Sequence, residues 1–138
     1  MTKGVIFHAH SEMLSIFGDP VAWTNTIEKL GFDFYIMIDK EAIVPDWVET
    51  KSIQGYRVDD MADALQLLSD RRPECSLVEL REDAVTTVTD WTPPEDICWI
   101  VGPDVGADPV LPTAQKISLP CGRLWAIQAI TAVWGRYM

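Results

Sequence analysis

The sequence predicts an α/β fold, a mostly parallel sheet flanked by helices. Three observations carry that expectation. Short runs at Gly4–His8, Phe32–Ile38, Ser76–Leu80 and Ile97–Val101 are rich in β-branched and aromatic residues, as strands are. Between them lie stretches with apolar residues at helical spacing. Ile97–Val101 is almost wholly apolar and too short for a helix, and it sits between Pro93-Pro94 and Gly102-Pro103. That is how a parallel strand buried on both faces reads. Strands and helices that alternate in this way build parallel crossover units.

Each element has a local reason. Gly4–His8 is the first strand, and residues 9–18 form a loop or short helix. Asp19-Pro20 then starts a helix, because Asp caps and Pro suits the first helical position. Val21, Trp23, Ile27 and Leu30 give that helix an apolar side, and Gly31 closes it. Phe32–Ile38 is the second strand, so residues 1–40 read β-α-β. Residues 39–58 are less regular, broken by Pro45, Trp47 and Gly55, with a short strand or turn within Ser52–Val58. Asp59 or Asp60 caps a helix over Met61–Ser69, with Met61, Ala64, Leu65 and Leu68 at helical spacing. Arg71-Arg72-Pro73 ends it, and Ser76–Leu80 is the next strand. Asp83–Asp90 reads as a connection or short helix, and Trp91-Thr92-Pro93-Pro94 as a rigid approach to Ile97. Gly102 and Gly106 bracket a tight turn at the carboxyl end of Ile97–Val101, where open α/β sheets bind ligands. Lys116–Leu119 is a short strand stopped by Pro120. Leu124–Tyr137 is one helix, apolar nearly all round.

With 138 residues, one domain over 1–138 is expected, long enough to bury a core without staples. Hydrophobic content of 48% and charged content of 23% are ordinary for a globular protein. No apolar run approaches the ~20 residues of a membrane span. Met1-Thr2-Lys3-Gly4 leads directly into strand sequence, so no signal peptide and a cytoplasmic location are expected. Cys75, Cys98 and Cys121 lie in apolar or strand contexts and read as reduced thiols. No Cys/His cluster offers a metal site. The net charge of −10 argues against a surface that grips nucleic acid throughout. Local basic patches are confined to Arg71-Arg72, Arg57 with Lys51, and Arg123 with Arg136.

Trp99-Ile-Val-Gly-Pro-Asp-Val-Gly106, then Ile117-Ser-Leu-Pro120, then Leu124–Tyr137 resemble the SPOUT (α/β-knot) methyltransferases, most closely the SpoU/TrmH-like branch. Asp19-Pro20 through Leu30-Gly31-Phe32-Asp33 is similar to that family's first motif. The resemblance covers the whole chain in element order and is most specific from Trp99 onward. It implies a C-terminal trefoil knot, a feature nearly absent from other proteins. It implies S-adenosylmethionine as cofactor, held by backbone at three strand ends. The cofactor-binding residues on this basis are Leu80, Ile100, Gly102, Pro103, Asp104, Gly106, Ile117, Leu119, Gly122 and Leu124. It further implies a homodimer packed through the C-terminal helix, and methylation of a tRNA or rRNA at a ribose 2′-oxygen or a base. The sequence departs from the pattern first at Asp19, where the family carries an Asn. Asn25 stands where the family carries an Arg usually assigned to catalysis. The loop after Pro120 is short, so that Arg123 opens the last helix. Asn25 and Arg123 are therefore the catalytic candidates.

Other residues bear on the chemistry. Glu79, at the end of a buried strand, is placed to face a sulfonium charge, or else is edge-exposed. Asp104 could accept from a ribose hydroxyl, balance the sulfonium charge, or be a surface turn residue. His8 and His10 flank the end of the first strand, within reach of neutral-pH base chemistry but without an evident orienting group. The six Trp residues are better suited to core and dimer packing than to base stacking. Three readings follow: an RNA methyltransferase, a knotted dimer without catalysis that binds or regulates, and a plain flavodoxin-like domain without a knot.

Overall fold

A computed structural model describes residues 1–9, 20–43, 53–101, 111, 114–119 and 126–137. Six strands form one sheet: β1 (Lys3–His8), β2 (Phe34–Ile38), β3 (Gln54–Val58), β4 (Ser76–Leu80), β5 (Ile97–Ile100) and β6 (Gln115–Ile117). The order across the sheet is β3-β2-β1-β5-β4-β6, and every pairing is parallel. The expected mostly parallel α/β architecture is therefore present. Among the described residues, three helices flank it: α1 (Pro20–Lys29), α2 (Met61–Arg71) and α3 (Ala126–Tyr137).

The sheet is buried on both faces, as its apolar strands require. One face carries Val5, Phe7, Tyr35, Met37, Val78, Trp99 and Ile117, packed with Ile27 of α1 and Ile130 and Val133 of α3. The other carries Ile6, Phe34, Ile36, Cys98 and Ile100, packed with Ala64 and Leu68 of α2. The chain moves outward from β1 to β2 and β3, then restarts on the other side of β1. β5 lies against β1, and β6 lies beyond β4. The connection from β5 to β6 therefore passes across β4.

Local chemistry sets the element ends. The Asp60 side chain accepts from the Asp63 N–H at 2.8 Å and caps α2. This helix reaches Arg71, beyond the expected end at Ser69, and the Arg72 N–H closes it on the Leu68 carbonyl. α1 ends as its sequence predicts. Gly31 takes φ 80°, its N–H donates to the Glu28 carbonyl, and the Phe32 N–H donates to the Ile27 carbonyl. This is a Schellman closure, with Phe32 and Ile27 buried in the same cluster. It uses Phe32 in the helix end, so β2 begins at Phe34, two positions later than expected. Asp19, the expected cap of α1, lies outside the described residues.

Two further boundaries differ from expectation. The stretch within Ser52–Val58 is a strand, with its residues exposed or half-buried at the sheet edge. The last strand is Gln115–Ile117 rather than Lys116–Leu119, because Ser118 leaves β4 and bridges Thr87. The Ser118 N–H donates to the Thr86 carbonyl, and the Val88 N–H donates to the Ser118 carbonyl. The expected connection over Asp83–Asp90 contains a single 3₁₀ turn, Val88–Asp90.

Gly4 is required by close approach. It pairs with Phe34, whose buried ring lies where a Cβ on Gly4 would stand, and Arg72 stacks on the same ring with its guanidinium 5.0 Å from the centroid. Gly4→Ala should destabilise the fold by about 1–3 kcal/mol through overpacking. Gly31→Ala should cost about 1 kcal/mol, because it places a Cβ in the left-handed region. Urea denaturation of both variants checks the order of the two effects.

Candidate functional site

The parallel order brings the carboxyl ends of β5, β4 and β6 side by side, with β4 in the middle. Glu79 pairs with Ile100 on one flank and Lys116 on the other, and Leu80 pairs with Ile117. Four of the expected cofactor residues thus lie along one edge: Leu80, Ile100, Ile117 and Leu119. They do not share a face. Leu80, Ile117 and Leu119 pack with the cluster under α1 and α3, whereas Ile100 packs with the cluster under α2. Side-chain contact from both sets at once would need a ligand lying across the strand ends, so Ile100 is suited to contribute its backbone. Gly102, Pro103, Asp104, Gly106, Gly122, Leu124 and Arg123 lie outside the described residues, as does His10.

Glu79 is buried, not edge-exposed, at 4% of its free surface. Burying a carboxylate is costly unless it is paired and hydrogen-bonded. Its Oε1 accepts the Leu111 N–H at 3.0 Å and lies 3.9 Å from Lys116 Nζ. Its Oε2 lies 3.4 Å from Arg81 Nη1. Both oxygens are already engaged by this chain, so Glu79 is not a free counter-ion for a sulfonium. Arg81 also donates through Nε to Asp83 Oδ1 at 3.0 Å. That hydrogen bond holds the Asp83 carboxyl below the usual carboxylate range and raises the Arg81 guanidinium further. Lys116 Nζ donates to the carbonyls of Leu111 and Ala114.

A second charged group sits at the far end of the same edge. Asp39, buried at the end of β2, accepts the Ile43 N–H at 2.9 Å, and its other oxygen lies 3.9 Å from Arg57 Nη1. This engages one of the expected basic patches, and the stacking of Arg72 on Phe34 engages another. His8 ends β1 half-buried, beside Ile38. Asn25 is exposed on α1, while its neighbour Thr24 is buried.

Sequence reasoning missed Lys116, Arg81 and Asp39 as a charged rim. The available signal was a charge next to each strand end: Glu79-Leu80-Arg81, Ile38-Asp39 and Lys116-Ile117. Among the described residues no group of His, Cys, Asp and Glu could hold a metal, and no helix is long and apolar enough to cross a membrane.

No protein-family model matches the sequence, and no curated protein matches it. Solved structures do match. A protein of Porphyromonas gingivalis assigned as a TrmH-family RNA methyltransferase superposes with TM-score 0.69 at 13% identity, over 97% of this chain and 58% of its own. The fold is that of the TrmH-family RNA methyltransferases. A structure concerned with 2-OH methylation of C/U34 on tRNA matches with TM-score 0.68 at 11% identity, over 97% of this chain and 91% of its own. A Legionella pneumophila protein assigned as a methyltransferase and solved with SAM bound matches with TM-score 0.59 at 12% identity, over 98% of this chain and 64% of its own. This chain therefore spans about three fifths of the Porphyromonas and Legionella proteins. The TrmH fold extends over nearly all of it, as the element order implies.

The TrmH-like sheet also fixes two free thiols, Cys75 and Cys98. Burial, then the neighbouring Glu74, pushes the Cys75 thiol up to about 11 from 9.0. Burial raises Cys98 as well, seconded by Cys75. A nucleophilic cysteine needs the opposite shift. In a Cys121→Ser background at pH 8, the two native thiols should react with an aromatic disulfide reagent about a hundredfold more slowly than free cysteine. In denaturant both should react at the free rate.

Proposed function

We propose that this chain is an S-adenosylmethionine-dependent RNA methyltransferase, a single domain over 1–138 whose cofactor lies across the carboxyl ends of β4, β5 and β6. The observation that carries this reading is the likeness in fold to solved RNA methyltransferases over nearly the whole chain. The bound SAM in the Legionella protein adds to it. The residues present suit such a cofactor. Leu80 and Leu119 are half-buried apolar side chains beside the fully buried Ile117, an apolar wall open at its rim. A wall of this kind accepts an adenine ring, leaving polar recognition to backbone groups. Gly102, Pro103, Asp104, Gly106, Gly122 and Leu124 complete the pocket in this reading, and the C-terminal segment threads a preceding loop as a trefoil knot.

The cofactor, when bound, supplies a methyl carbon made electrophilic by its sulfonium. The chain's own contribution is positioning and exclusion of water. Leu80, Ile117 and Leu119 hold the apolar part. Of the two catalytic candidates, Asn25 is an exposed amide that can orient an acceptor but cannot take its proton. Arg123, carrying a positive charge just before α3, suits RNA phosphate. The acceptor is a tRNA or rRNA, at a ribose 2′-oxygen or a base. The protein works as a cytoplasmic homodimer packed through α3, whose Ala129, Ile130 and Val133 are already committed to its own core.

Titration calorimetry with S-adenosylmethionine and S-adenosylhomocysteine tests the reading. Micromolar binding is expected, lost in Gly102→Arg with the melting temperature unchanged. Tritiated methyl groups should pass to bulk tRNA or rRNA. No binding at millimolar cofactor would contradict the proposal and leave a binding or regulatory module with the same fold.

A further inference from the structure

Two charges at the β4–β6 edge, the buried Glu79 and the partly exposed Lys116, grip one residue of the main chain from both sides. Leu111 donates its N–H to Glu79 Oε1 at 3.0 Å and accepts at its carbonyl from Lys116 Nζ. Glu79 and Lys116 are register partners on adjacent strands, on the face of the sheet covered by α2. The Leu111 side chain packs into that face against the Ile100 cluster. Lys116 also takes the Ala114 carbonyl, and the Ala114 N–H closes a turn on the Leu111 carbonyl. Arg81 holds the second oxygen of Glu79. The carboxylate and ammonium therefore neutralise each other while satisfying three main-chain groups. A buried ion pair of this kind contributes little net stability against an apolar substitute, and its best-attested use is to fix register.

We propose that Glu79 and Lys116 form an electrostatic clamp that fixes the main chain at Leu111 against the β4–β6 edge. On the methyltransferase reading, on which this part rests, the clamp makes Glu79 and Lys116 positioning residues for the cofactor pocket. Neither touches the cofactor. They act through the position of Leu111 and through the spacing of β4 from β6. The arrangement also accounts for a charged residue at each of two strand positions that would otherwise be apolar.

The test compares wild type with Glu79→Gln, which keeps the shape and one acceptor, and Lys116→Met, which keeps the aliphatic stem. Amide hydrogen exchange at Leu111, followed by NMR, reports the clamp directly. Charge-assisted hydrogen bonds are roughly twice as strong as neutral ones, so exchange there should quicken about tenfold or more in either variant. The β1 and β5 amides should keep their protection. In Lys116→Met, where Arg81 still pairs with Glu79, S-adenosylmethionine affinity should fall about tenfold while the melting temperature moves little, a split that a purely structural role would not give. Unchanged exchange at Leu111 in both folded variants overturns the clamp. Faster exchange with wild-type cofactor affinity overturns the positioning role. If wild type itself binds no cofactor, the methyltransferase reading fails separately, and the Leu111 amide alone decides the clamp. Should Glu79→Gln fail to fold, Lys116→Met, whose parent side chain is partly exposed, carries the same comparison.

Discussion

The pairing of β1 with β5 is the constraint on which the rest of the structure depends. It joins a β3-β2-β1 half to a β5-β4-β6 half through consecutive parallel partners, from Lys3 with Ile97 to Ile6 with Ile100. The ladder is extended at both ends, by the Ile97 N–H to the Thr2 carbonyl at 2.8 Å and the Val101 N–H to the Ile6 carbonyl at 3.0 Å. Asp96 anchors the start by accepting the Thr2 N–H at 2.6 Å. Because β5 is trapped between β1 and β4, the chain beyond it must cross β4 to reach β6. That crossing creates the edge where Leu80, Ile100 and Ile117 meet. In open α/β sheets ligands bind beyond the carboxyl ends of the strands, at such a reversal of strand order. The functional proposal and the topology therefore share one origin.

Much of this was legible in the sequence because the strands are buried on both faces. A strand with no solvent side must be apolar along its length, and β1, β2 and β5 announce themselves that way. The ends of α1 and α2 were legible for a different reason. Gly31 and Asp60 act within a few residues of themselves, so local sequence is enough. What stayed hidden depends on partners distant in the chain. β3 carries Gln54 and Gly55 and is held by its edge pairing with β2 rather than by its own propensity. β6 is short and half polar, and Ser118 is drawn off to Thr87. Glu79 and Leu111 are 32 residues apart, so the sequence offered the charge without its destination. The split of Leu80, Ile117 and Leu119 from Ile100 needed register, which no single strand contains.

Charge separates the cofactor question from the substrate question. The chain carries −10 overall, and two of its basic patches are used inward, Arg57 on Asp39 and Arg72 on Phe34. RNA binding rests mainly on phosphate neutralisation. On the methyltransferase reading, Arg123 and Arg136 near α3 then become the remaining basic patch, and a dimer through α3 would bring two copies of it together.

The most direct test of the central claim, that ligand chemistry belongs to the β5–β4–β6 edge, is NMR mapping of the amides as S-adenosylmethionine is added. The account predicts shifts concentrated at Leu80–Arg81, Ile100–Val101 and Ile117–Leu119, with the amides of β3 and α2 unmoved. Shifts confined to the β2–β3 end around Asp39 and Arg57, or none at saturating cofactor, would contradict it.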